Sequence, residues 1–195
     1  MNKKTKFNAS ILIIGNEILS GRTKDTNTST LALWLSSIGV KVEEVRVIPD
    51  DEKVIINSVR EMKSKYNYVF TSGGIGPTHD DITAESIAKA FNLKYEIHDE
   101  GFKILKAYYK TGEFNEGRQK MIWMPKNAKL ILNPTSGAPG FSVENVFCLP
   151  GVPSILKSML GGLTNEIVGG DPILSSTINL RTVESEIAQS LSDVQ

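Results

Sequence analysis

Hydrophobic and polar positions switch repeatedly between two periods along the first hundred residues. The run 10–15 is continuously apolar through its centre, Ile11-Leu12-Ile13-Ile14, between Ser10 and Gly15, as a parallel strand covered on both faces requires. From Thr28 the residues Leu31, Trp34, Leu35 and Ile38 keep helical spacing, and Gly39 supplies a stop. Val40–Ile48 alternates imperfectly as a second strand. Pro49-Asp50-Asp51 opens a helix with Ile55, Val59 and Met62 inside. Tyr68–Thr71 reads as a third strand, and Ile87, Ala90 and Phe91 mark the helix after it. This alternation predicts an α/β domain with a mostly parallel sheet and right-handed crossovers. Such sheets bind ligands beyond the carboxyl ends of their strands. The glycine-bounded loop 15–21, the loop 73–77 and Asp50 all follow strand ends, so the three are expected to converge.

Farther along, Lys94–Ile97 reads as a short strand. Asp99 is placed to cap a helix through Phe102, Leu105 and Tyr109 that ends near Gly112. Residues 113–124 carry Glu116, Arg118, Lys120 and Trp123 before Pro125 interrupts. Lys129–Asn133 and Val143–Leu149 read as strands joined by the loop 134–140, and Pro150-Gly151-Val152-Pro153 turns into a helix ending at Gly161-Gly162. Residues 163–171 read as a linker, 173–181 as a strand and 183–191 as a helix. The expected organisation is one α/β domain over 1–162, then a linker and the incomplete start of a small α+β unit over 163–195. A strand and helix without partners favour a homo-oligomer.

Composition narrows the function classes. Lys and Arg number 22, as do Asp and Glu, so bulk charge gives no case for nucleic acid binding. Lys3, Lys4 and Lys6 read as a solvated terminus. No apolar run reaches the length of a membrane span, and residues 1–8 lack the apolar core of a leader. Cys148 is the single cysteine, which excludes an internal disulfide and reads as a buried apolar residue. A cytoplasmic protein without membrane or nucleic acid partners is expected.

The richest stretch is Tyr68–Ala84, YVFTSGGIGPTHDDITA. Gly73, Gly74 and Gly76 free the backbone to bring N–H groups close to a ligand. Consecutive N–H groups ahead of a helix make an anion seat. Asp80 and Asp81 beside such a seat would repel an anion unless a cation or proton intervenes. A capped turn alone would need neither the third glycine nor paired aspartates. The dinucleotide fingerprint wants glycine where His79 stands, and no P-loop lysine follows.

Five separated motifs, Ile14–Gly21, Asp25-Thr26-Asn27, Gly73–Thr83, Ser136–Gly140 and Leu149–Pro153, resemble the molybdopterin-binding-like domain of the CinA (competence/damage-inducible protein A) family. The resemblance covers about residues 9–162. The central glycine motif is also similar to the N-terminal domain of animal FAD synthases, and the wider superfamily holds the MoaB/Mog-type molybdopterin adenylyltransferases. The resemblance implies a three-layer α/β/α fold. For the CinA branch it implies hydrolysis of a nucleotide diphosphate, ADP-ribose or FAD, with a divalent metal (Mg, Mn or Co) and K⁺ as a further candidate. For the other branch it implies pterin binding and adenylylation. The ligand is accordingly a nucleotide or a pterin.

By analogy with the adenylyltransferases, Asp50 and Asp81 are the first candidates for metal handling and catalysis, with Glu17 as a third catalytic carboxylate and Asp80 as a further metal ligand. Neighbours in an extended segment point oppositely, so Asp80 and Asp81 are expected to face apart. Two readings stay open for Asp50, helix cap or metal carboxylate, and for Glu17, catalytic group or tie for its own loop. The resemblance assigns phosphate to Gly15, Gly73, Gly74, Gly76 and Thr78, and the far wall of the cleft to Ser136, Gly137, Ala138 and Gly140. His79 reads equally as a phosphate contact or an exposed loop residue, and Asn27 as a helix cap ahead of a ligand contact. The long CinA deamidase domain and the FAD synthase domain have no counterpart in these 195 residues.

Overall fold

A computed structural model describes residues 7–110, 113–172, 176–177 and 179–193. In chain order the elements are β1 (Phe7–Ile14), α1 (Asn16–Leu19), α2 (Asn27–Ser37), β2 (Val40–Ile48), α3 (Glu52–Lys65), β3 (Tyr68–Ser72), α4 (Thr83–Ala90), β4 (Tyr95–Ile97), α5 (Asp99–Tyr108), α6 (Glu116–Lys120), β5 (Trp123–Pro125), β6 (Lys129–Ile131), β7 (Gly140–Val143), β8 (Val146–Leu149), α7 (Pro153–Leu163) and α8 (Glu184–Ser192).

Among the described residues, six strands form one sheet in the order β2-β1-β3-β8-β7-β6. The pairs β1–β2, β1–β3 and β3–β8 are parallel, whereas β7 and β6 follow antiparallel. Strand alternation splits the core in two. Leu12 and Ile14 pack with Ile55, Val59 and Met62 of α3 and Ile87 of α4. Ile11 and Ile13 pack with Leu31 and Leu35 of α2 and Leu156 and Leu160 of α7. This is the expected three-layer α/β/α arrangement with a mostly parallel sheet. No helix of the described residues is long and apolar enough to cross a membrane, and Cys148 is buried, its thiol pushed up to about 12 by that burial.

Several local expectations need correction. The loop 15–21 contains a helical turn, α1, too short to show a period. The expected strand 143–149 is the end of one strand and the whole of the next, β7 and β8 turning at Glu144 and Asn145 with Glu144 at φ +50°. Residues 113–125 form α6 and β5, and β5 pairs with β4 in a separate two-stranded sheet. The cap of α5 is His98, whose Nδ1 accepts the Gly101 N–H, and Asp99 is the first helical residue. The stretch after α7 packs on the domain: Ile167 is buried, and the Tyr68 hydroxyl donates to the Val168 carbonyl while accepting its N–H. Of the expected strand 173–181, residues 176–177 and 179–181 are irregular, and 173–175 and 178 lie outside the described residues. The helix expected at 183–191 is α8. Lys3, Lys4, Lys6 and Gly112 also lie outside them.

One surface network carries a pH prediction. The Tyr66 hydroxyl, Arg46 and Lys65 all donate to the Glu44 carboxylate and hold it down to about 2, against an ordinary 4.5. A depressed carboxylate stabilises the fold above its unfolded pKa and loses that contribution as pH falls toward the folded one. Glu44→Gln is therefore expected to flatten the fall of Tm between pH about 4.5 and 2, as followed by circular dichroism.

Candidate functional site

The carboxyl ends of β1, β2, β3 and β8 share one edge, and the expected loops meet there. Each sheet hydrogen bond continues one residue past the strand end: Gly15 N–H donates to Ile48 C=O and Gly73 N–H to Leu149 C=O, both at 3.1 Å. Gly73 has φ +108°, and a Cβ there would lie 2.1 Å from the Ile14 carbonyl oxygen. Only glycine brings the chain this close to β1. Gly74, at φ +69°, accepts the Thr83 N–H at the start of α4. Beyond these anchors, the N–H groups of Gly74, Ile75 and Gly76 have no hydrogen-bond partner among the described residues. Three consecutive N–H groups are thus left as donors at the strand-end edge.

A cleft of about 530 Å³ opens over this loop, well within the range of small-molecule sites. Of the sequence-derived residues, Glu17, Gly73, Gly74, Gly76, Asp81, Ser136 and Ala138 line it. The lining also has apolar members, Met121, Pro139, Val152, Pro153 and Ile155. Asn133 builds the far wall. Its Nδ2 donates to Ser136 Oγ (2.7 Å) and Ala138 C=O (2.9 Å), and its Oδ1 accepts the N–H groups of Thr135 and Ser136.

Two glycines assigned to that wall serve other purposes. Gly137, at φ +76°, lies under the Tyr108 ring, and Gly140 begins β7 with its Cβ position 2.4 Å from the Cys148 carbonyl oxygen. Neither lines the cleft. Gly15 is buried beneath the Glu17 carboxylate, whose oxygens lie 2.7–2.8 Å from the position a Cβ would take. Glu17 thus both covers its own loop and faces the cleft.

Asp50 is not a helix cap. Asp51 caps α3 by accepting the Val54 N–H, while Asp50 Oδ2 accepts the Asn16 N–H at 2.8 Å. Asp50 therefore holds the first turn of α1, the turn that carries Glu17. Its pKa is raised, first by burial and then by the charges of Glu17 and Asp80.

The aspartate pair also departs from expectation. The segment turns, with Asp81 N–H donating to Thr78 C=O, so the two carboxylates converge on one hydroxyl. Thr78 Oγ1 lies 2.6 Å from Asp80 Oδ1 and 2.5 Å from Asp81 Oδ2, and Asp81 Oδ2 also accepts the Thr78 N–H at 2.8 Å. Asp81 accordingly ties its own loop and does not cap α4, whose N-cap position is Ile82. The Thr78 hydroxyl, with help from His79 and Lys120, holds the Asp80 carboxyl below its usual range. His79 is exposed. Among the described residues no three His, Cys, Asp or Glu side chains are grouped to hold a metal ion by themselves.

Asn27 and Lys120 have partners that their local sequence does not indicate. Asn27 is buried, and its Nδ2 donates to Ser72 Oγ and Gly151 C=O, joining β3 to the turn before α7. The capping expected of it falls to Asp25, which accepts the N–H groups of Asn27 and Thr28. Lys120, 42 residues from Thr78 in sequence, donates to the Thr78 carbonyl.

A family model described as a probable molybdopterin binding domain matches residues 10–169. A protein from Archaeoglobus fulgidus is 39% identical over 148 residues, 76% of this chain and 63% of its own length. One from Caldivirga maquilingensis is 39% identical over 158 residues, 78% and 62% of the two chains. The chain thus spans less than two thirds of the length of these relatives. The crystal structure of CinA from Thermoplasma acidophilum, a protein of unknown function, superposes with a TM-score of 0.77 at 33% identity, covering 83% of this chain and 99% of that one. The tungsten cofactor synthesizing protein MoaB from Pyrococcus furiosus shares the fold, with a TM-score of 0.54 at 24% identity over 83% and 92% of the chains.

Proposed function

The chain belongs to the probable molybdopterin binding domain family, and on that premise we propose that its cleft binds a nucleotide diphosphate and hydrolyses the phosphoanhydride. The observation that carries the reading is the row of unpartnered N–H groups at Gly74, Ile75 and Gly76, set beside Glu17. The seat takes the diphosphate oxygens, and the apolar members of the cleft lining take the planar ring. Water adds to one phosphorus, the bridging P–O bond breaks, and the products are AMP and a second phosphomonoester. Glu17 faces the seat and is placed to orient the water and accept its proton. Asp50 fixes Glu17 through Asn16.

A divalent cation suits this donor set: Glu17 lines the cleft, and the half-buried Asp50 accepts the Asn16 N–H at 2.8 Å in the turn that carries Glu17. Glu17 and Asp50 would hold it with the ligand's own oxygens, since one or two carboxylates plus phosphate suffice for Mg²⁺. Bound there, such an ion would neutralise phosphoryl charge and supply a more acidic water.

Incubation with ADP-ribose or FAD and Mg²⁺, Mn²⁺ or Co²⁺ should release AMP, read by chromatography. Glu17→Gln should slow release on the order of 100-fold or more with binding retained. No AMP with any metal or either substrate would sink the hydrolysis. The second reading is a nucleotide- or pterin-binding domain without turnover. It is favoured by Asp81, whose carboxylate is spent on Thr78. Calorimetric binding with no product would select it, and ATP-dependent modification of molybdopterin would select adenylylation.

A further inference from the structure

Beside the cleft lies a small hollow walled by Tyr95, Lys120 and Trp123, and the two share Ile75, Gly76, Asp81, Met121 and Pro139. Among the described residues lining either one, Lys120 is the sole cation, against the carboxylates of Glu17 and Asp81. Its ammonium donates to the Thr78 carbonyl, on the residue whose N–H and hydroxyl are held by Asp81. The α6 backbone is seated on the same loop, with the Cβ position of Gly117 3.5 Å from the Pro77 carbonyl oxygen. Arg118, two residues earlier, is engaged elsewhere: it donates to the Glu113 carbonyl and lies 4.1 Å over the Tyr109 ring.

An anion on the Gly74–Gly76 seat meets negative charge on both sides. A cation fixed at the outer flank of that loop removes half of this problem without a metal. An ammonium has three donors, and the Thr78 carbonyl uses one. The geometry points to Lys120 as a phosphate-binding residue of the cleft: it offsets Asp80 and Asp81 and donates to an oxygen of the ligand diphosphate while anchored on Thr78. This inference rests on the reading of the loop as an anion seat and is independent of hydrolysis.

The test is calorimetric titration of the full chain with inorganic pyrophosphate in the presence of chelator, so that no metal contributes. Wild type should bind. Lys120→Met should weaken binding about tenfold or more, as expected for loss of a charge-assisted hydrogen bond, with Tm unchanged. Lys120→Arg should return to within about threefold of wild type, and Lys103→Met, on the exposed side of α5, should not differ from it. On the unmodified protein, pyrophosphate should slow acetylation of Lys120 by acetic anhydride, read by peptide mass, which serves if a variant fails to fold. Absence of metal-free binding by wild type, equal binding by Lys120→Met, equal loss in both Lys120 variants, or unprotected Lys120 would each overturn the proposal. Pyrophosphate binding that depends on Lys120 without AMP release from any substrate would refute hydrolysis and leave the inference standing.

Discussion

A Gly73→Ala protein is expected to lose ligand binding and to melt well below wild type. The added methyl group would sit 2.1 Å from the Ile14 carbonyl oxygen at a φ of +108°, where side-chain-bearing residues are strained. Nothing there can give way cheaply. Ile14 ends a central strand, and Gly73 is itself fixed to Leu149 by a 3.1 Å hydrogen bond. Strained backbone costs about 1–3 kcal/mol, and overpacking adds about 1–3 kcal/mol. The loop can escape only by leaving β1, which scatters the N–H groups of Gly74, Ile75 and Gly76. Gly161→Ala is the matched control. Its Cβ would meet open space within helix α7, so alanine should stabilise by roughly 0.5–1 kcal/mol. Calorimetric melting and nucleotide titration of the two variants read both effects. A Gly73→Ala protein with wild-type Tm and affinity would show that close approach to β1 is unnecessary.

The second large effect concerns Asp50→Asn, which should cut turnover by orders of magnitude while leaving the fold at neutral pH as stable as wild type or more so. The amide oxygen still accepts the Asn16 N–H that Asp50 now accepts at 2.8 Å, so α1 keeps its anchor. The carboxyl's pKa is raised by burial and by Glu17 and Asp80. For an acid the sign is then clear. The folded protein holds the proton more tightly than the unfolded chain, so this group's contribution is full below the ordinary carboxylate pKa and is lost as pH rises through the folded one. Asparagine removes that loss. Added Mg²⁺ should raise the Tm of wild type by linked binding and raise that of the variant far less. A variant with wild-type turnover, or one destabilised at neutral pH, would remove Asp50 from the account.

The sheet and its loops were legible because they depend on local pattern. Ile11–Ile14 and Tyr68–Thr71 can hardly be anything but buried strands, and three glycines in four positions announce a special backbone. Misreadings arose where local chemistry fits two partners equally well. Asn27 looks like a cap, yet its amide bonds reach Ser72 and Gly151, 45 and 124 residues away. Asp80 and Asp81 look extended and opposed, and only the turn back to Thr78 brings them together. The turn at Glu144 and Asn145 was hidden because the residues on either side are all buried. Lys120 sits in a segment without a strong period, and its role depends on packing that brings α6 onto the glycine loop.

The most direct test of the central claim is amide chemical-shift mapping of ¹⁵N-labelled protein titrated with ADP-ribose and Mg²⁺. The account predicts that the largest shifts fall on Gly74, Ile75 and Gly76, with Ser136 and Ala138 moving across the cleft. Shifts confined to other surfaces, such as the groove beside Tyr108 and Leu132, with those glycine-loop amides unmoved, would contradict it.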